Sequence, residues 1–393
     1  MRFLHLADLH LGKNLGGYSL IEDQRYVLKQ AIDLVKSENL GAVVIAGDIY
    51  DSGVPSGEAT RLLSSFLTEL SRLKAPVLMI SGNHDSADKL GFVSDVLANE
   101  RIYIGTRLND DHTHPLVPVS LGDTDFYLLP YMTRGYLNSY FTEEIKDGFD
   151  DLSSGLRYLF SKLTLNKARK NVLVAHQTVF PSEGKLETGG SEEAVYMDED
   201  GELTGTSPAL SLALFSPFDY VALGHIHKKL TLDKKTDRAR YPGALLKYHQ
   251  GECNQEKTFT IVDMNGKVPV ITEKGVYPFR DLVQIKGNWD DLVSEDNLRK
   301  HKNDYVFFIL DGQAKVSEPF PTLKTIYPYA LGFKKTEHNA DSVAIKRKFS
   351  SDISEVDLAS LFSSFYKDVK GTEIPEQYAS YIKNKIETLK GGK

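Results

Sequence analysis

The sequence predicts an α/β fold, on three observations. Short apolar runs alternate with amphipathic segments up to about residue 275, the apolar positions of those segments fall on one helical face, and five polar clusters each follow directly on an apolar run. The runs expected as strands are residues 3–7, 42–46, 76–80, 126–129, 172–175, 220–223 and 259–263. Between residues 24 and 35, Val27, Leu28, Ala31, Ile32 and Val35 recur at i, i+1, i+4, i+5 and i+8, which predicts a helix. Leu62, Leu63, Phe66, Leu67, Leu70 and Leu73 predict a second.

The texture changes beyond Pro278. Residues 282–285, 305–310, 323–327 and 330–333 read as strands and 290–301 as a helix, together a small α+β module. A polar stretch at 334–352 reads as a linker. Two amphipathic segments follow, with apolar positions Val356, Leu361, Phe362, Phe365 and Tyr381, Ile382, Ile386, Leu389, and they read as helices that need a surface to pack on. The expected divisions are 1–276, 277–340 and 341–393.

Composition narrows the function. With 393 residues, 41% of them hydrophobic, the chain can bury a substantial core and is expected to be soluble. Its single cysteine, Cys253, excludes an intramolecular disulfide, and its neighbours Glu252 and Asn254 give no sign of an activated nucleophile. No basic n-region with a long apolar stretch opens the chain and no run of 18 apolar residues occurs, so a cytoplasmic location is expected. A net charge of −7 argues against a broadly basic surface, so any DNA footprint has to be local. Bound cations reverse the local sign of a carboxylate-lined site, so a phosphate substrate stays open.

The chemistry lies at the strand exits. The five clusters are Asp8-Leu9-His10, Gly47-Asp48, Gly82-Asn83-His84-Asp85, His176, and Gly224-His225-Ile226-His227. Ligands of open α/β sheets bind outside the carboxyl ends of the strands, so these loops can converge on one rim. Singly, each cluster also reads as a cap, a turn or a core histidine. The conjunction decides: five of the 11 histidines lie in these clusters, whereas His112 and His114 sit in an Asp/Asn-rich loop and read as solvated surface. Imidazole, carboxylate and amide donors without thiolate suit Mn²⁺, Fe or Zn in a reactive site better than structural zinc. Seven ligands exceed the needs of one ion with an open position, so two divalent ions are expected, with Asp48 as the bridge.

In order and spacing, Asp8-x-His10, Gly47-Asp48-x-x-Asp51, Gly82-Asn83-His84-Asp85, His176 and Gly224-His225-x-His227 resemble the calcineurin-like metallophosphoesterases. His10-Leu11-Gly12-Lys13, Glu22-Asp23-Gln24, Tyr241-Pro242-Gly243 and the C-terminal module are similar to the bacterial SbcD-type nuclease subunits of double-strand-break repair. The resemblance implies a two-sheet sandwich flanked by helices, with a small α+β capping domain and C-terminal helices. It implies one ion on Asp8, His10, Asp48 and His227 and a second on Asp48, Asn83, His176 and His225, with Mn²⁺ the expected metal. His84 is then a general acid or transition-state stabiliser, with Asp85 orienting its ring. Some relatives carry a histidine where this chain has Asp51, which is expected to support its loop instead.

The same resemblance implies a 3′-to-5′ exonuclease on duplex DNA that also cuts single strands and hairpins, in end processing, recombination and repair. The capping domain would close over duplex ends. The C-terminal helices would dock an SbcC-type coiled-coil ATPase through Leu361, Phe362 and Phe365, in a heterotetramer built on a homodimer. Lys228, Lys229, Lys234, Lys235, Arg238 and Arg240 read either as a grip on the DNA backbone or as a solvated hairpin turning at residues 233–237. The competing readings are a phosphatase or phosphodiesterase acting on a small or protein substrate, and a non-catalytic scaffold on the same fold. No Walker A pattern occurs, so any ATP dependence comes from a partner.

Overall fold

The computed structural model describes residues 1–180, 195–197, 203–205 and 210–336, with Pro375 and Tyr378. The linker expected at 334–352 lies outside the described residues from 337 onward, and the C-terminal helical segments, including Leu361, Phe362 and Phe365, lie outside them altogether. The chain divides into two compact units, Met1–Lys335 and Thr336–Lys393.

Apolar runs at the start of the chain become strands buried on both faces. In the first sheet β1 (Arg2–Leu6), β2 (Ala42–Ala46), β3 (Val77–Ile80) and β4 (Ile102–Gly105) run parallel. In the second, β5 (Val119–Leu121), β6 (Thr124–Leu129), β7 (Lys170–His176), β8 (Tyr220–Gly224), β9 (Leu230–Thr231) and β10 (Ala239–Tyr241) are ordered β9-β10-β8-β7-β6-β5. Antiparallel β11 (Thr258–Asp263) and β12 (Val270–Gly275) complete the first sheet as β12-β11-β1-β2-β3-β4. Expectation missed the short or polar strands β4, β5, β9, β10 and β12, which carry too few consecutive apolar residues to stand out.

The sheets pack face to face. Phe3, Val44 and Leu78 of the first meet Phe126, Val172 and Tyr220 of the second in an apolar middle layer. Phe3 sits edge-on to Phe126 and Tyr220 at 5.4 and 6.0 Å. Burying each such ring contributes about 1.5–3 kcal/mol. Alternate residues face outward: Leu4, Val43 and Val77 lie under α1 (Ile21–Ser37) and α2 (Gly57–Arg72), while Leu129, Leu173 and Val221 lie under α3 (Arg134–Tyr140) and α4 (Leu152–Ser161). Ser56 and Asp151 cap α2 and α4 by accepting from Ala59 N and Ser154 N. Buried His5 of β1 ties the sheets together: one ring nitrogen donates to Leu223 O at 3.2 Å and the other meets Tyr220 Oη at 3.1 Å. Burial lowers its pKa to about 3, so the ring stays neutral.

The region after Pro278 builds a three-stranded sheet from β13 (Leu282–Gly287), β14 (Tyr305–Asp311) and β15 (Ala330–Thr336), with its own core around Trp289, Phe308 and Tyr327. Residues 323–327 are not a strand; most of them belong to the helix Pro319–Ile326. Pro319 presets the first turn, and Leu323 and Tyr327, four apart, are both fully buried on one side. The helix expected over 290–301 is two, Trp289–Leu292 and Glu295–His301, because Ser294 accepts from Asn297 N and starts a new one.

Candidate metal centre

All five strand-exit clusters reach one rim, three from the first sheet and two from the second. Asp8 and His10 follow β1, Asp48 follows β2, Asn83 and His84 follow β3, His176 ends β7, and His225 and His227 follow β8. Asp48 Oδ2 lies 3.3 Å from His176 Nε2 and 3.6 Å from His10 Nε2. Asn83 Oδ1 stands 3.1 Å from His176 Nε2 and 3.0 Å from His225 Nδ1. His10 Nε2 and His227 Nε2 face each other at 3.0 Å, and Asp8 Oδ1 accepts from His225 N at 2.9 Å. The seven expected ligands therefore form one network.

The local backbone is bent to achieve this. Asp8, His10, Asp48 and His225 all have positive φ, four of the nine non-glycine residues with positive φ among those described. Such conformations cost about 1–3 kcal/mol each and persist where surroundings enforce them. Two glycines make room. A Cβ on Gly224 would lie 1.8 Å from Ala46 O, and one on Gly82 would lie 2.1 Å from Asp48 Oδ1.

Burial sets the charge states. It lowers His10 to about 4 and His225 to about 3, so both rings are neutral near pH 7 and keep a lone pair for a cation. Burial raises Asp8 to about 6. At Asp48 burial works the same way, but the His176 ring outweighs it and holds the carboxyl well below its usual range. His176 is raised in return, Asp48 overcoming the effect of burial.

These residues fit a divalent metal site. Asp8 Oδ2 and His225 Nε2 are buried without a hydrogen-bond partner, a costly state for polar atoms that a cation would relieve. Ligand atoms of Asp8, His10 and His227 lie within 4.8 Å of one another, as do those of Asp8, Asp48 and His176. A third grouping joins His84 to His10 and Asp48. His84 is exposed and stands edge-on to His10, ring centroids 4.9 Å apart, on the open side.

One outer residue differs from expectation. Asp85 does not touch the His84 ring: its oxygens accept from Ile49 N, Tyr50 N and Gly82 N at 2.9–3.0 Å, tying the second and third loops together. A carboxylate drawn to three backbone donors is turned away from the ring. His84 Nδ1 instead meets Asp51 O at 3.0 Å, while the Asp51 carboxylate holds Lys13 at 2.7 Å and lies 3.3 Å from His10 Nδ1. Asp51 thus supports its loop and meets the His84 ring through its carbonyl. Buried Glu252 stands 3.6 Å from His227 Nδ1, and Lys257 donates to His227 O at 2.9 Å. No sequence pattern marks Glu252, which is distant from His227 along the chain.

The basic segment forms a hairpin, β9 pairing with β10 and Asp237 N donating to Asp233 O at 2.9 Å. Two of its cations are paired with carboxylates: Arg240 with Glu273 and Asp237, and Lys229 with Glu273 at 2.9 Å. Lys234, Lys235 and Arg238 remain exposed.

The calcineurin-like phosphoesterase family matches residues 1–229. Over 394 residues the chain is 32% identical to the SbcD protein of the SbcCD nuclease from Staphylococcus saprophyticus, spanning 99% of this chain and 98% of that protein. The chain belongs to the SbcD-type calcineurin-like phosphoesterases. As an SbcD-type nuclease it is a hydrolase that depends on divalent metal. Among solved structures, a dimetal phosphatase from Danio rerio is 16% identical over 70% of this chain and 96% of its own, with a TM-score of 0.41. A Thermus thermophilus protein is 12% identical over 70% of this chain and 99% of its own, with a TM-score of 0.39. At those TM-scores neither supports an inference. No helix among the described residues is long and apolar enough to cross a membrane.

Gly224→Ala tests the packing behind the site. Its methyl group collides with Ala46 O, so Mn²⁺ affinity measured by titration calorimetry is expected to fall by at least the roughly 10–100-fold typical of a disturbed ligand shell. Wild-type affinity in the variant would refute the tight-packing account.

Proposed function

We propose that this SbcD-type nuclease degrades duplex DNA from 3′ ends and cuts single strands and hairpins, using two Mn²⁺ ions. The observation that carries the reading is the end-to-end match to a nuclease component, module and C-terminal segment included, on a chain that retains every expected ligand. A phosphatase of minimal length would not need the residues beyond 277.

Asp8, His10, Asp48 and His227 would hold one ion, and Asp48, Asn83, His176 and His225 the other. Such a pair, when bound, would supply charge neutralisation and a more acidic water for attack on phosphorus. His84 would serve the leaving group. The Asp51 carbonyl can only accept, so His84 Nδ1 carries a proton and Nε2 is the atom left to give or take one. Lys234, Lys235 and Arg238, with Lys228 nearer the site, would meet the phosphate backbone. Residues 277–340 would cap duplex ends, and 341–393 would dock an SbcC-type ATPase through Leu361, Phe362 and Phe365. Phe92, Val93 and Val96 are exposed and close together in the sequence, and two copies of the chain would pair through them; a monomer mass by light scattering at micromolar concentration would count against that pairing.

His84→Ala is expected to retain two Mn²⁺ per chain while cleavage of end-labelled duplex falls about 10²–10⁴-fold. Full cleavage by the variant would remove His84 from the chemistry, and turnover of a small phosphodiester without any of DNA would favour the phosphatase reading. Deleting 341–393 is expected to abolish co-purification with an SbcC-type ATPase and to leave Mn²⁺ binding intact. Retained co-purification would place the docking site elsewhere.

A further inference from the structure

Glu22-Asp23-Gln24 holds no metal ligand, yet it sits between two regions that matter. Asp23 and Gln24 are buried neighbours in the first turn of α1. The Gln24 amide is committed to the loop that carries His10: its Oε1 accepts from Gly12 N at 3.0 Å, and its Nε2 donates to His10 O at 2.7 Å and Leu9 O at 3.3 Å. Asp23 turns the other way. Its carboxylate accepts from Arg280 N at 3.1 Å, Arg280 Nη1 at 3.0 Å and Tyr305 Oη at 2.9 Å, groups on the three-stranded module and the chain leading into it.

A second dipeptide repeats this division. Lys247 Nζ bonds the Asp281 carboxylate at 2.9 Å and Leu282 O at 3.3 Å, on the module side. Tyr248 Oη donates to Leu9 O at 2.6 Å, and its ring lies edge-on to His10 and His227, centroids 5.4 and 5.6 Å away. The chain between His10 and Asp23 touches the module as well, Tyr18 Oη donating to Pro328 O at 2.8 Å.

We propose that Asp23-Gln24 and Lys247-Tyr248 couple the seating of the module to the geometry of the 9–12 loop, so that His10 is held in ligating position when the module is seated. The physical reason is the buried charge on Asp23, 1% exposed. If its donors leave, the carboxylate has to reach water, which requires the first turn of α1 to shift, and Gln24 shifts with it. All four are positioning residues, since none of them is a proposed ligand. The proposal rests on the assignment of His10 as a metal ligand.

The test uses the full chain with Tyr305→Phe, a mild change remote from the ligands, and Arg280→Ala. Backbone amide exchange is followed without metal, and Mn²⁺ affinity by paramagnetic resonance titration. Residues 9–13 are expected to exchange faster in both variants, the loops at 83–85 and 176–178 to keep wild-type rates, and one of two Mn²⁺ affinities to fall on the order of 10-fold. The coupling is overturned if module amides accelerate while 9–13 and both affinities stay at wild-type values, or if both sheets accelerate uniformly. A wild-type chain that binds no Mn²⁺ would sink the ligand assignment, whereas wild-type exchange at 9–13 together with wild-type affinities sinks the coupling alone.

Discussion

One buried carboxylate stands where the two sheets meet. Asp48 leaves the first sheet, lies within 3.6 Å of His10 Nε2 on its own side and 3.3 Å of His176 Nε2 on the other, and accepts from His84 N through Oδ1. A charge so placed is tolerable only with partners on every side. Its neighbours answer that demand: Gly82 lacks the side chain that would strike Asp48, and Asp85 ties the second and third loops together by backbone hydrogen bonds. The sandwich core behind the rim, with Phe3 against Phe126 and Tyr220, fixes the distance between the sheets and hence the reach required of Asp48.

An acidic chain can act on a polyanion when the positive charge is concentrated at the reacting point. Neutral His10 and His225 and the ionised Asp48 make the site receptive to cations, which then present positive charge to a phosphate. The protein's own cations contribute less than their number suggests, because Lys229 and Arg240 are already neutralised by Glu273.

The convergence of these side chains on one rim was legible because strand ends place side chains predictably: an apolar run followed at once by Asp, Asn or His locates a group at the rim without knowledge of the tertiary fold. Partners fixed by loops were not. The family resemblance implied a contact between Asp85 and the His84 ring, but the backbone donors of Ile49, Tyr50 and Gly82 capture that carboxylate instead, and the carbonyl of Asp51 that replaces it leaves no trace in residue type. Residues 323–327 read as a strand because their apolar residues are few and close together, and the four-residue spacing of Leu323 and Tyr327 gains meaning only once both are seen buried. Edge strands such as Val119–Leu121 were too short to register.

Under the proposed assignment Asp48 would join two metal ions in one site. The most direct measurement is metal content combined with paramagnetic resonance of the Mn²⁺-loaded chain, wild type beside Asp48→Asn. The account predicts two Mn²⁺ per chain with a spin-coupled signal in the wild type, and loss of that coupling with weakened binding of both ions in the variant. One ion per chain, or two uncoupled ions unaffected by the substitution, would contradict it.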